Sequence, residues 1–343
     1  MKLTTLAGLI TSGQLALLLG LGNTIRQAYR SSFIAAALSE GVYALLRDGP
    51  ASIDELHQRL VGPLPAADSS RDKLKAWLDL GVTLGELKQT PAGYALRSRL
   101  SRQLARPSND AIAALFQEAC TLHHDLITQM PARLREKRPF TLADADGELI
   151  ARSSRVLEPY ISEIVDTVVP EKGACSLLEV GCGSGIYIRR ACLRNPALVA
   201  VGLELQPEVA NVARRNLEGW GLAQRAKVET GDVRTRFAAS AERFDLVTLH
   251  NNIYYFPVGE RLDLVRRLTS FLKPGGTLVV TTACQGSPAT QVLNLWGEMT
   301  EGAGALPAPD AVCDLMSQAG CGNLRKLELL PGQGFFAFVG TKI

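Results

Sequence analysis

The sequence predicts an α/β protein. Its main part is a doubly wound, mostly parallel seven-stranded sheet with an antiparallel final strand, and a mainly α-helical domain of winged-helix pattern precedes it. Three observations carry this. Residues 176–190 read as strand, glycine turn and helix: the apolar run 177–180 is followed at once by Gly181, Gly183 and Gly185, and apolar residues recur at helical spacing from Ile186. From residue 174 onward, strand-like runs alternate with helical patterns, which favours parallel pairing through crossovers. The last two runs are joined by Pro331-Gly332-Gln333-Gly334, a hairpin signal that turns one strand against the others.

Bulk properties bound the class. A chain of 343 residues suggests two domains, and 46% hydrophobic with 21% charged residues is ordinary for a soluble enzyme. A formal charge of +3 gives no case for a nucleic-acid partner. The seven cysteines show no paired or metal-like spacing, so they read as reduced thiols of a cytoplasmic protein, and four histidines do not suggest a metal site. Residues 3–24 carry no formal charge, but Thr4, Thr5, Thr11, Ser12, Gln14 and four glycines interrupt them. The reading is an apolar helix over about 12–28, buried against a second subunit, rather than a signal peptide or membrane anchor.

The first domain, 1–107, continues with a helix over 32–46 that stops at Asp48-Gly49-Pro50. Ser52-Ile53-Asp54-Glu55 is a capping-box pattern opening a second helix to about Leu60. Pro63, Pro65 and Ala66 form a loop, and Asp68-Ser69-Ser70 caps a third helix over 71–80. Strands at 82–87 and 94–96 then bracket Thr90-Pro91-Ala92-Gly93. Three helices and a hairpin make a winged helix. Its third helix carries Arg71, Lys73 and Lys75, but Asp72 and Asp79 interleave, which favours a dimerisation module over a DNA-binding one.

Residues 108–170 read as linking helices that line a substrate pocket: 111–130, ended by Pro131, and 154–169, with Pro159 delaying its start. His123, His124 and Asp125 point in different directions on a helix, so at most one histidine faces a given pocket. After the hinge 170–173, the third part, 171–343, is Rossmann-like. Its strands are 176–180, 198–203, 226–229, 244–250, 277–283, 324–330 and 335–341, and helices at 206–218, 259–271 and 308–319 lie between them.

The cofactor follows from the strand ends. The third glycine comes one residue too early for a dinucleotide fingerprint, and Glu179 at the mouth of the turn would repel a pyrophosphate. Glu204 ends the second strand, where a carboxylate can bind ribose hydroxyls, and Asp232 follows the third, where an acid can accept from an adenine amino group. The ligand described has an adenosine, no phosphates and a positive end.

At this point the motifs Glu-Val-Gly-Cys-Gly-Ser-Gly, Gly-Leu-Glu-Leu, Thr-Gly-Asp-Val, Phe-Asp-Leu-Val and Leu-Lys-Pro-Gly-Gly-Thr-Leu, in this order, resemble class I S-adenosylmethionine-dependent methyltransferases. The winged-helix front end narrows the resemblance to the two-domain, O-methyltransferase-like group, which dimerises through that domain. The resemblance implies that Glu179, Gly181, Gly183 and Gly185 hold the methionine portion of the cofactor, that Glu204 binds the ribose, and that Asp232 with Val233 fixes the adenine. His250 and Asn251 approach the sulfonium. It also implies a small-molecule acceptor, methylated at a hydroxyl oxygen, in secondary metabolism. Where the group often carries a histidine base, this chain has Tyr254, and a tyrosine with its ordinary pKa of about 10 is a poor base near pH 7. Candidates for catalysis are therefore Tyr254, His124 and His250, unless the acceptor is an acidic phenol or enol, or a carbon or nitrogen. Phe116, Tyr160, Tyr254, Trp296 and Met299 are candidates to line an apolar acceptor pocket. Two other readings stay open: a DNA-binding regulator with a ligand-sensing second half, and a protein that binds the cofactor without chemistry.

Overall fold

The computed structural model describes residues 2–62, 69–235 and 242–343. Two compact units divide the chain, Met1–His124 with Asp146–Val156, and Asp125–Ala145 with Leu157–Ile343. The segment 108–170 is thus shared between them.

The first unit opens with helices Leu3–Thr11 and Gln14–Ser39, bent by 77° where Gly13 takes a positive φ. The expected helices 12–28 and 32–46 are one helix as far as Ser39. Nothing between residues 28 and 32 breaks it, and the Ser32 hydroxyl donates back to the Ala28 carbonyl. The interruption falls at Gly41, with φ 73°, before the short turn Val42–Leu45. Only the second half of the long helix is buried, at Phe33, Ile34, Ala35 and Ala37. Among the described residues no single helix is long and apolar enough to cross a membrane.

Helix Ile53–Leu60 starts at the capping box: the Ser52 amide donates to Glu55 at 2.7 Å and the Glu55 amide to the Ser52 hydroxyl at 3.2 Å. Such caps contribute about 1 kcal/mol. The loop at Pro63, Pro65 and Ala66, and the cap at Asp68, lie outside the described residues. The third helix is Ser70–Thr83, three residues longer than read at its C-terminus. A Cβ at Gly81 would collide with the Phe33 ring, so the helix packs closely there and continues, and the chain turns at Gly85, with φ 85°. The expected strand 82–87 is accordingly corrected: its first residues end the helix, and the hairpin pairs Leu87–Thr90 with Gly93–Leu96. Leu78 is fully buried, with Leu74 and Trp77 packed beside it.

The expected helix 111–130 breaks into Asp110–Cys120 and Leu122–Glu136 at Thr121, whose ψ of −85° leaves the helical region. Pro131 does not end the second piece but lies inside it. Just downstream the Arg133 guanidinium sits 3.8 Å over the Phe140 ring and bonds Asp144 at 3.1 Å. Pro159 falls in the first turn of helix Glu158–Val168, where it fits.

The sheet of the second unit has strands β1 (Cys175–Val180), β2 (Leu198–Glu204), β3 (Ala226–Thr230), β4 (Phe244–His250), β5 (Leu272–Ala283), β6 (Cys321–Leu330) and β7 (Phe335–Lys342). Their spatial order is β3-β2-β1-β4-β5-β7-β6. β1 to β5 pair in parallel, and β7 alone runs against its neighbours β5 and β6. Side chains alternate between two cores: Leu177 and Leu246 belong to one face, Leu178 and Val247 to the other. Covering both faces is what makes these strands near-continuous apolar runs in the sequence. The strand order reverses at β1, between β2 and β4, and an open sheet of this kind gathers a ligand outside the C-terminal ends there.

Candidate active site

The glycine turn leaves β1 with Gly181, Gly183 and Gly185 all at positive φ, 67°, 52° and 78°. The Gly181 amide donates to the Leu203 carbonyl at 2.7 Å, which ties the turn to β2. A Cβ at Gly181 would run into the Asn252 side chain, so both shape and φ demand glycine there. A Cβ at Gly183 would meet nothing within 4 Å, so this side of the turn is open.

Glu179 faces inward from β1, 1% exposed, and neither carboxyl oxygen has a hydrogen-bond partner. Burial first and the neighbouring Glu204 second push its pKa well above the usual carboxylate range, opposed only by the Ile188 amide at the start of helix Ile186–Arg194. Burial, with Glu179 as the next contributor, also raises the Cys182 thiol and the Tyr187 phenol. Glu204, by contrast, is half-buried and partnered. It accepts from the Gly183 amide at 3.0 Å and the Gln206 amide at 3.2 Å, so it joins the open turn to the end of β2.

Beyond β3, Asp232 accepts from the Arg234 amide at 2.8 Å and from the Arg234 guanidinium at 2.7 Å, and this arginine holds its pKa below the usual range. Val233 beside it is buried in the core. At the end of β4, His250 Nδ1 lies 3.1 Å from the Thr281 hydroxyl and its ring meets that of Tyr187 edge-on at 5.0 Å. Burial drives its pKa down to about 3, which leaves a neutral imidazole whose Nε2 has no partner. Asn251 adopts φ 55°, donates its amide to the Thr281 carbonyl and leaves its side-chain oxygen unpartnered. Asn252 donates to the carbonyls of Gly181 and His250 at 3.2 and 2.8 Å, so it ties the glycine turn to β4.

An aromatic cluster follows. Tyr254, 4% exposed, stacks on Tyr255 at 5.0 Å, and both meet the buried Trp296 edge-on, at 6.1 and 5.3 Å. Met299, half-buried beside this core, accepts the Phe140 amide through its carbonyl. Tyr160 is half-buried on its helix. Phe116 and His124 belong to the first unit. There Phe116 packs against the unit's own core and His124 is exposed, while His123 pairs with Glu118 at 3.3 Å.

Glu179, the glycine turn and Glu204 thus form one cluster, with His250 and Asn251 joined to it through Asn252 and Tyr187. Asp232 and Val233 stand two strands away, and Tyr254 and Trp296 form a separate wall. Sequence reasoning missed Tyr187, Asn252, Thr281 and Arg234. The position of Tyr187, one turn after the glycines, was a usable signal; the contacts of Asn252 and Thr281 depend on which strands become neighbours. The residues fit a ligand with a cationic end: a buried acid without a cation, an unpartnered Asn251 oxygen and an open glycine face are unmet polar needs in one place.

Comparison with known proteins agrees. Residues 177–276 match a methyltransferase domain family. An N,N-dimethyltransferase, OxyT, from Streptomyces rimosus is 24% identical over 288 residues, 80% of each chain. A ubiquinone biosynthesis O-methyltransferase from Xanthomonas campestris pv. campestris is 32% identical over 139 residues, which is 40% of this chain and 54% of that one. Among solved structures, the mitomycin 7-O-methyltransferase MmcR superposes with a TM-score of 0.75 at 20% identity, covering 96% of this chain and 99% of its own. Human N-acetylserotonin methyltransferase in complex with its methyl donor gives 0.68 at 18% identity, covering 96% and 97%. With the strand order, the glycine turn and the unpaired acid at its mouth, these matches indicate an S-adenosylmethionine-dependent methyltransferase: residues 177–276 carry the methyltransferase domain, and the chain as a whole has the fold of the solved O-methyltransferases it matches.

Proposed function

We propose that this enzyme methylates a hydroxyl oxygen of a small, aromatic or polyketide-like molecule in secondary metabolism. The observation that carries the reading is the wall of buried Tyr254 and Trp296 with half-buried Tyr255, which begins four residues downstream of the β4 end and lies in the same unit as the glycine turn. Aromatic walls of this kind hold flat, largely apolar ligands. The mitomycin 7-O-methyltransferase match supports an oxygen acceptor.

When bound, S-adenosylmethionine supplies an activated methyl on a sulfonium that is already a good leaving group. The chain's task is then alignment and exclusion of water. In this reading the glycine turn and Glu179 take the amino-acid end, Glu204 the ribose, Asp232 and Val233 the adenine, and Asn251 the sulfonium side. Tyr160, Trp296 and Met299 line the acceptor pocket with Tyr254. For the acceptor's proton the candidates are Tyr254, His124 and His250. With a pKa of about 3, His250 suits a neutral hydrogen-bonding role better than proton abstraction.

A second reading is methyl transfer to nitrogen, favoured by the N,N-dimethyltransferase that matches 80% of the chain. Methyl-labelled cofactor supplied with panels of phenols and of amines separates the two. Label on a phenolic oxygen is the expected result, and label found only on nitrogen or carbon would sink the oxygen reading. The DNA-binding alternative predicts salt-dependent DNA affinity lost on changing Arg71, Lys73 and Lys75 to Ala. Arg71 is held by Asp54 and Lys75 by Asp79, which speaks against a free phosphate-binding face.

We also propose a cytoplasmic homodimer formed through the first unit. Leu17, Leu18 and Leu19 stand 67, 58 and 72% exposed on helix Gln14–Ser39, an apolar surface that a second copy would cover. Sedimentation of Leu18→Glu with Leu19→Glu should give a monomer where the natural sequence gives a dimer; a natural sequence that sediments as a monomer overturns this.

A further inference from the structure

We propose that cofactor loading in this enzyme is an exchange of a proton for a cation. Glu179 is a neutral carboxylic acid in the cofactor-free protein, and it gives up its proton to solvent when the cofactor's ammonium settles beside it. This rests on the reading of the glycine turn as the seat of the cofactor's amino-acid end, and goes beyond it by fixing the charge state on each side of binding.

The geometry argues for the neutral form. A buried carboxylate without a counter-ion is so costly that the group takes a proton instead. Glu179 is 1% exposed, pairs in register with Gly202 of β2 and Thr248 of β4, and has no hydrogen-bond partner at either oxygen. The ionisable groups of the surrounding elements do not help. β2 contributes the acid Glu204, the glycine turn the thiol of Cys182, the next helix the phenol of Tyr187, and β4 the neutral imidazole of His250. Among the described residues no lysine or arginine pairs with it. The one favourable dipole is the Ile188 amide, and burial together with Glu204 outweighs it.

An ammonium reaching these oxygens reverses the balance, because an ion pair restores what burial removed. The carboxyl O–H bond breaks, the proton leaves to solvent, and an ammonium–carboxylate pair forms. No electrons move between groups. Glu204 is half-buried, already accepts from two amides, and in this reading serves the ribose at the end of β2.

Calorimetric titration with S-adenosylhomocysteine near pH 7, in phosphate and in imidazole, counts the protons from the difference in heats. A ligand α-amino group with a pKa of about 8 is still mostly cationic there. The natural sequence should release about one proton per ligand bound, with affinity rising up to about tenfold per pH unit below neutrality. Glu179→Gln should release almost none. Methylthioadenosine, a nucleoside without the ammonium, should release none from the natural sequence, and this arm stands even where the Gln variant folds poorly. Binding of S-adenosylhomocysteine without proton release, or equal release with methylthioadenosine, overturns the exchange and leaves the cofactor placement intact. No binding of S-adenosylhomocysteine at all overturns that placement as well.

Discussion

The glycine turn follows β1 and the aromatic wall follows its neighbour β4, and they are finished to different degrees. Around the turn, polar groups are left unmet: both oxygens of Glu179, the side-chain oxygen of Asn251, Nε2 of His250, and an open face at Gly183. At the wall, Tyr254, Tyr255 and Trp296 fill one another's edges and faces. The difference teaches what a site reveals without its ligand. A polar cradle advertises the missing partner by what it lacks. An apolar wall is satisfied by its own packing and says only that something flat and apolar fits beside it.

The contrast breaks first at Gly181. Gly181→Val puts a branched side chain at φ 67° and into Asn252, so S-adenosylhomocysteine affinity should fall about 100-fold or beyond detection by calorimetry. Affinity within threefold of normal would mean the turn does not shape the cradle. Glu204→Ala comes next. It removes the acceptor for two amides and for the ribose, and should weaken S-adenosylhomocysteine by about tenfold, or about 1.4 kcal/mol. On the wall, Tyr254→Phe keeps the ring and removes the hydroxyl, so cofactor affinity should hold while turnover falls if that hydroxyl handles the acceptor's proton. His124→Ala makes the same test in the first unit, and turnover unchanged in both variants would leave only His250 or alignment alone.

The smallest effect is on stability. The Glu179 pKa is raised in the folded protein, so its contribution is full below the ordinary carboxylate value of about 4.3 and is lost as pH rises through the raised value. The melting temperature of cofactor-free protein should therefore fall with rising pH more steeply than that of Glu179→Gln. Parallel slopes would show that Glu179 titrates alike folded and unfolded.

The same contrast explains what was legible in the sequence. The seven strands were: central ones because residues such as Leu178 and Val247 sit in a sheet covered on both faces and need apolar side chains in unbroken runs, and the last pair because the turn 331–334 joins them as a hairpin. The acids at 179, 204 and 232 were legible because strand ends place them. The helix ends in the first half of the chain were not. The third helix runs through Val82, where Phe33, far back in the chain, packs on Gly81, and the helix read as 111–130 breaks at Thr121 while Pro131 lies inside the piece that follows. The link of Asn252 to Gly181 spans 71 residues and exists only once β1 and β4 are neighbours.

The path of the chain between its units has a consequence for recombination. Residues 125–145 fold with the second unit although 146–156 return to the first. Within that loan, Leu126 and Phe140 are core residues of the sheet unit, and Phe140 exchanges backbone hydrogen bonds with Met299 and Glu301. A swap of front ends between related enzymes at residue 108 or 171 would therefore cut through a core rather than a linker. A chimera that keeps 125–145 with the sheet, and trades 1–124 together with 146–156, respects the seam the fold uses.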